Sequence, residues 1–240
     1  MQHYGTQADE IMRLRKELAF YAQEGYELIL ADESFFNPDS YSCRHWMKSS
    51  EPIMKVTRFS PPMPKISVCC AISETYGSIC NLYREDSYFD SSHMCELLQS
   101  IRDKLGPHAK IAMFWDNASM HRSQVTRQFA AGADIDIHLV FNIRYRCDLQ
   151  PVEKVFRHAK HAYAKELEHH KAHNHPWQQL DTVHYIMDQI PADFIKSEAA
   201  KLHQLIGDAS PTIPLDFEEP IKLGFVDRYE SSPENEFVKE

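Results

Sequence analysis

The chain has 240 residues, 43% hydrophobic and 25% charged, with a formal net charge of -9. That is enough to bury one substantial core, and the mix excludes collagen, coiled-coil arrays and wholesale disorder. The acidic balance argues against a simple basic nucleic-acid binder, and no apolar run approaches the roughly 18 residues of a membrane helix. The first residues show no secretory pattern. Six cysteines without a CxxC spacing fit a reducing compartment better than a disulfide framework. An intracellular protein without a membrane partner is expected, nuclear in a eukaryote and cytoplasmic in a bacterium.

The charge is uneven. Residues 208–240 carry nine Asp/Glu against three Lys/Arg, a net of -6, and residues 1–207 carry the remaining -3. Residues 144–175 hold seven Lys/Arg, four Asp/Glu and six histidines, so one basic segment sits inside an acidic chain.

Residues 9–23 read as a helix ended by Gly25, and 26–31 as a short buried strand. A Ser/Pro/Asn-rich stretch, 34–60, contains Tyr41, Trp46 and Phe59, which either stack on unpaired bases or pack under a long loop. After Pro61, Pro62 and Pro64 come two β-rich runs, 66–72 and 78–83, spaced as a hairpin. Residues 93–105 have helical apolar spacing, and 110–115 is the continuous apolar run of a strand buried on both faces. A helix at 121–131, a strand at 135–141 and a long helix with Val155, Phe156, Ala159, Ala162, Tyr163 and Leu167 on one face follow. Two further helices are expected near 177–189 and 192–206. The domain reading is an N-terminal helical segment (1–25), an α/β domain with C-terminal helices (26–207) and an acidic, Pro-containing tail (208–240).

Three acids stand where strands end or helices begin. Asp32 follows the strand at 26–31, Asp116 follows that at 110–115, and Glu153 opens the long helix. Converging there, they suit two divalent metals in phosphoryl transfer. Singly, each has a plain structural explanation as a turn, cap or helix-start acid.

The words around the acids resemble the catalytic domain of mariner-type and related insertion-sequence transposases, DDE endonucleases with an RNase H-like fold. Asp32-Glu33-Ser34 matches the family's first word, and Asp116-Asn117-Ala118 followed by His121 matches its second. The third, Tyr-Ser-Pro-Asp-Leu-Asn-Pro-Ile-Glu in the family, is matched by Tyr145 to Glu153, with Arg146-Cys147 replacing Ser-Pro and Gln150 replacing Asn. Thirty-six residues separate Asp116 from Glu153. The resemblance implies a mixed RNase H-like β-sheet flanked by helices. It also implies DNA strand cleavage and strand transfer with two Mg2+ or Mn2+ ions on Asp32, Asp116 and Glu153.

Asn117 and His121 are expected to support those acids, and Glu33 to point away from Asp32 as a structural residue. Arg144, Arg146, Lys154, Arg157 and Lys160 are the candidate DNA-backbone contacts. His158, His161, His169, His170, His173 and His175 lack a nearby cysteine for a familiar zinc pattern and read as a solvated helix end. The family's upstream helix-turn-helix region has no counterpart ahead of the first strand, so DNA recognition is expected from a second copy or a separate chain. A transposase-derived subunit without cleavage activity is the alternative, and a host RNase H-like nuclease a further one.

Overall fold

The computed structural model describes residues 7–38, 64–144, 146–173, 178–207 and 209. Tyr41, Trp46, Phe59, Tyr145, His175 and the acidic tail apart from Ala209 lie outside the described residues. The elements in order are α1 (Gln7–Gln23), β1 (Glu27–Phe36), β2 (Ile66–Ser73), β3 (Gly77–Glu85), α2 (Ser91–Leu105), β4 (Ile111–Trp115) and α3 (Gln124–Ala130). After them come β5 (Ile137–Phe141), a 3-10 turn at Cys147–Leu149, α4 (Val152–His173), α5 (Gln179–Asp188) and α6 (Ala192–Ile206).

The five strands form one mixed sheet in the order β3-β2-β1-β4-β5. β2 and β3 make the expected hairpin, turning at Gly77, whose φ of 73° lies in the left-handed region that glycine adopts freely. β1 pairs antiparallel with β2 on one side and parallel with β4 on the other. β4, buried at all five positions, is central as its apolar run predicts.

Strand alternation sorts the core into two layers. Leu28 and Leu30 of β1, Cys70 and Ile72 of β2, and Ala112 and Phe114 of β4 face α1, α4, α5 and α6. Ile29 and Ala31, Cys69 and Ala71, and Met113 and Trp115 face α2 and α3. Cys69 and Cys70 are free thiols buried one on each face, small hydrophobes as expected.

Two boundaries differ from the sequence reading. β1 does not stop at Ala31: it runs to Phe36 because β2 continues to pair with it through Phe36↔Ile66 after β4 has ended. Asp32 is therefore an interior strand residue. Nor is His121 helical: the chain turns there, and α3 begins after Ser123, whose hydroxyl accepts from the Thr126 amide as an N-cap.

α2 starts at a similar device. The Asp90 carboxylate accepts from the amides of Ser92 (2.9 Å) and His93 (3.2 Å), and the His93 ring accepts from the Asp90 amide (3.2 Å). Arg102, on the same helix, is buried. It donates to four carbonyls: Ile135 (2.6 Å), Gly106 (2.9 Å), Ala109 (2.8 Å) and Asp136 (2.8 Å). These bonds tie α2 to the loops at both ends of the β4–α3 unit. No helix among the described residues is long and apolar enough to cross a membrane.

Candidate active site

Register brings the first two acids together. β1 and β4 pair Glu27 with Ile111 through Leu30 with Phe114, so two residues further on Asp32 stands level with Asp116. By alternation Asp32 shares the face of Leu28 and Leu30, the side covered by α4. Glu153 is exposed in the first turn of that helix.

The electrostatics record this grouping. Burial, first, and then the charge of Glu33 raise the Asp32 carboxyl; Glu153 and Asp116 add to the rise, and the Glu33 amide, donating at 2.8 Å, opposes it. Asp32 ends at about 8. It is a half-buried acid among other carboxylates, held toward its protonated form unless a cation joins it. Among the described residues no three His, Cys, Asp or Glu side chains stand close enough together to enclose a metal ion. The donor set is nonetheless the hard oxygen type that divalent Mg2+ or Mn2+ takes, and the load on Asp32 is the kind a cation relieves.

Asp116 is held on one oxygen. Its Oδ1 accepts from the Ala118 amide (2.9 Å) and from Nδ1 of His121 (2.6 Å), and Oδ2 takes part in neither bond. His121 is fully buried and stacks on Trp115, ring centroids 4.1 Å apart and 14° from parallel. Its other nitrogen, Nε2, lies 3.0 Å from Oε1 of Glu33. Ionised carboxylates only accept, so a ring flanked by two of them carries both protons. Burial pulls the His121 imidazole down, but the bonds and charges of Asp116 and Glu33 outweigh it and hold it at about 9. Burial likewise pushes Asp116 up, and the His121 and Ala118 hydrogen bonds bring it below its ordinary value.

The expectation that Glu33 points away from Asp32 fits these contacts, yet Glu33 is more than a strand residue. Besides His121, its Oε1 accepts from the Cys69 thiol at 3.2 Å. The alternation of faces was available in the sequence; the return of His121 to that second face was not. Asn117 spans outward from the site: its amide donates to the Asn142 carbonyl, and its oxygen accepts from Arg122 (3.3 Å).

The candidate phosphate contacts divide. Arg144, Lys154 and Arg157 are exposed and Lys160 is half-buried. Arg146 is committed to a two-point pair with Asp148, at 2.7 Å on each nitrogen. On α4 the exposed residues Lys154, Arg157, His158, His161 and Lys165 recur at helical spacing and form one stripe. The departure at Gln150 is visible too. The side chain is buried, with neither amide atom hydrogen-bonded among the described residues, so it does not cap α4.

A family model described as DDE superfamily endonuclease matches residues 27–175, more than half of the chain. No curated protein matches. Among solved structures, the Mos1 mariner paired-end complex with Mn aligns with a TM-score of 0.61 at 14% identity, covering 86% of this chain and 63% of that one. The Mos1 paired-end complex with the left transposon end gives 0.59 at 15% identity, covering 88% and 63%. The Mos1 transposase catalytic domain with raltegravir and Mg gives 0.56 at 15% identity, covering 87% and 96%. At such identities the likeness is one of fold, and the mixed sheet flanked by helices is RNase H-like. The chain spans about 63% of the longer transposase chains it matches.

Proposed function

Because the chain belongs to the DDE superfamily of endonucleases, we propose that it cuts DNA strands at Asp32, Asp116 and Glu153 and joins the freed ends to a target. The observation that carries this is the level placement of Asp32 in β1 and Asp116 just past the end of the neighbouring parallel β4, with both Asp116 and Glu153 near enough to load Asp32. Two Mg2+ or Mn2+ ions would activate water or a 3′-hydroxyl for attack and offset charge on the departing oxygen.

The chain's own part is placement. β1 and β4 are rigid, buried strands, so their acids keep their separation while a phosphate is presented between the sheet edge and α4. Asp116 offers one outward oxygen, its other being fixed. Glu153, exposed at a helix start, would supply the third carboxylate. The stripe from Lys154 to Lys165 supplies phosphate-neutralising charge along the approach. The Mos1 complexes with a transposon end and with Mn or Mg support DNA and divalent ions as the ligands to test.

The test is nicking of supercoiled plasmid by the purified chain with Mn2+ or Mg2+, beside Asp32→Asn and Asp116→Asn. Metal-dependent nicking lost in both variants is the expected result. If neither metal produces nicking while Mn2+ still binds, the second reading takes over, a transposase-derived subunit that no longer cuts. The buried Gln150 side chain, which does not cap α4 three residues before Glu153, is the observation that favours that reading.

A further inference from the structure

Two features of the motif words are unexplained by three metal-binding acids: why Glu33 follows Asp32, and why a buried histidine follows Asp116 by five residues. We infer that Glu33 is a positioning residue that acts through His121 to fix the carboxylate of Asp116. This inference rests on the proposed metal-binding role of Asp116.

The geometry is a chain of contacts crossing the sheet. Asp32 and Glu33 are consecutive in one strand, so they present to opposite faces. Asp32 joins the α4 side and Glu33 the α2/α3 side. Asp116 lies just past the end of β4, whose last paired residue is Trp115 opposite Phe141, so it stands one residue beyond the ladder. Left alone, a carboxylate there turns about two side-chain bonds. The turn after it folds His121 back under Trp115, where the ring is clamped on its face by the indole at 4.1 Å. Its Nδ1 then holds Asp116 Oδ1 at 2.6 Å. Stacking fixes the plane of the ring, but not its rotation within that plane. Glu33 supplies that constraint, receiving Nε2 at 3.0 Å. The Cys69 thiol, donating to the same Glu33 oxygen at 3.2 Å, keeps Glu33 in place.

Held in this way, Asp116 has Oδ1 occupied and Oδ2 directed elsewhere. A ligand carboxylate gains from such pinning because the ordering is done before the ion arrives; loss of an outer partner typically costs about 10–100-fold in metal affinity. A merely structural Glu33 would support the fold of β1 without reaching Asp116.

The experiment uses the full chain, Mn2+ alone as the probe, and proton NMR of the metal-free protein. The wild type is expected to show two protected imidazole N–H signals from His121. Glu33→Ala should lose the Nε2–H signal, shift the Nδ1–H signal that reports on Asp116, and weaken Mn2+ binding by about 10-fold or more. Glu33→Gln keeps an acceptor for Nε2–H and should restore both signals and most of the affinity. Glu33→Ala combined with His121→Ala should bind Mn2+ no more weakly than His121→Ala alone, since both remove one relay. A wild type that binds Mn2+ while Glu33→Ala leaves the Nδ1–H signal and the affinity unchanged overturns the inference and spares the nuclease reading. So does full additivity in the double variant. A wild type that takes up no Mn2+ overturns the nuclease reading itself, and this inference with it.

Discussion

Asp32, inside β1, stands level with Asp116, the first residue past the end of the neighbouring parallel strand β4, and the pairing of Leu30 with Phe114 two residues earlier sets them there. The consequence is a proton held by the fold. Burial first, then Glu33, Glu153 and Asp116, keep the Asp32 carboxyl at about 8, against an ordinary 3.8. Between those values the folded chain binds a proton that the unfolded chain has released, so stability falls as pH rises. The metal-free protein is expected to melt at steadily lower temperature from about pH 5 to about pH 8, and saturating Mn2+ to flatten that decline. Calorimetric melts across this range decide it; a midpoint that climbs with pH in metal-free buffer contradicts the account.

The two asparagine variants should move stability in opposite directions. Asp32→Asn removes an acid whose ionised form the fold disfavours, so at pH 8 the metal-free variant should melt higher, by about 2–4 °C for each kcal/mol gained. Asp116→Asn removes a partner of a buried imidazolium and should melt lower, by an amount of about 1 kcal/mol because the carboxylate is partly solvated. Both should lose nicking. Equal shifts of one sign would mean that the two acids do not differ in environment as their contacts require.

His121 adds a slope of its own. Its folded value of about 9 exceeds the ordinary 6.5, so its stabilisation is complete below about pH 6.5 and is lost as pH rises through 9. In the Asp32→Asn background the decline below pH 6.5 should disappear and the decline from about 6.5 to 9 should persist. His121→Ala should abolish that remaining slope and cost about 2–4 kcal/mol through the cavity beside Trp115 and the two stranded carboxylates. Melts of the single and double variants in pH steps measure both.

How much of this was legible in the residues can be followed acid by acid. The hydrophobic run before Asp116 marked a central strand and the run before Asp32 marked another, while the grouping of the two acids came from the resemblance of the words around them. What the pattern hid was pairing. Asp-Glu-Ser looks like the end of a strand, but β2 continues to bond it, and a partner supplied from more than thirty residues away leaves no local mark. The same holds for His121. Its support of the acids was expected from a place in the following helix, but its burial depends on an indole and two carboxylates that meet only in the fold. Arg102 is the plainest case. It looks like a surface charge at the end of an amphipathic helix, yet four carbonyls from later loops enclose it.

That enclosure gives a stability prediction remote from the chemistry. Arg102→Met keeps most of the aliphatic stem but leaves the buried Ile135 carbonyl without its donor, while the half-buried Gly106 and Ala109 and the exposed Asp136 stay within reach of water. One buried acceptor left without a donor carries a desolvation cost, and the expected loss is about 1–3 kcal/mol, roughly 2–12 °C in melting temperature. Mn2+ affinity of the folded fraction should stay at the wild-type value, because Arg102 touches none of the site acids. A drop in the melting midpoint below about 2 °C would show that the Ile135 carbonyl finds water or a new donor at little cost.

The last prediction separates the basic residues near the site. Affinity for duplex DNA comes from cations that displace counterions, and each phosphate contact adds close to one unit to the salt slope. Lys154 and Arg157 are exposed on the α4 stripe, immediately after Glu153, and no carboxylate pair engages either among the described residues. Arg146 is already paired: its Nε and Nη2 donate to the Asp148 carboxylate at 2.7 Å, which offsets its charge. Lys154→Ala and Arg157→Ala should therefore each weaken binding across all sequences and lower the salt slope by about 1, while Arg146→Ala should change it little. The net charge of -9 sets the scale. The lone chain should bind at no better than about micromolar at physiological salt, the range of non-specific contacts, with tighter engagement requiring a second copy or a basic partner chain. Titrations of labelled duplex at several salt concentrations measure both quantities. An unchanged slope in Lys154→Ala and Arg157→Ala would move the DNA path off α4, and nanomolar, sequence-specific binding by the lone chain would remove the need for a partner.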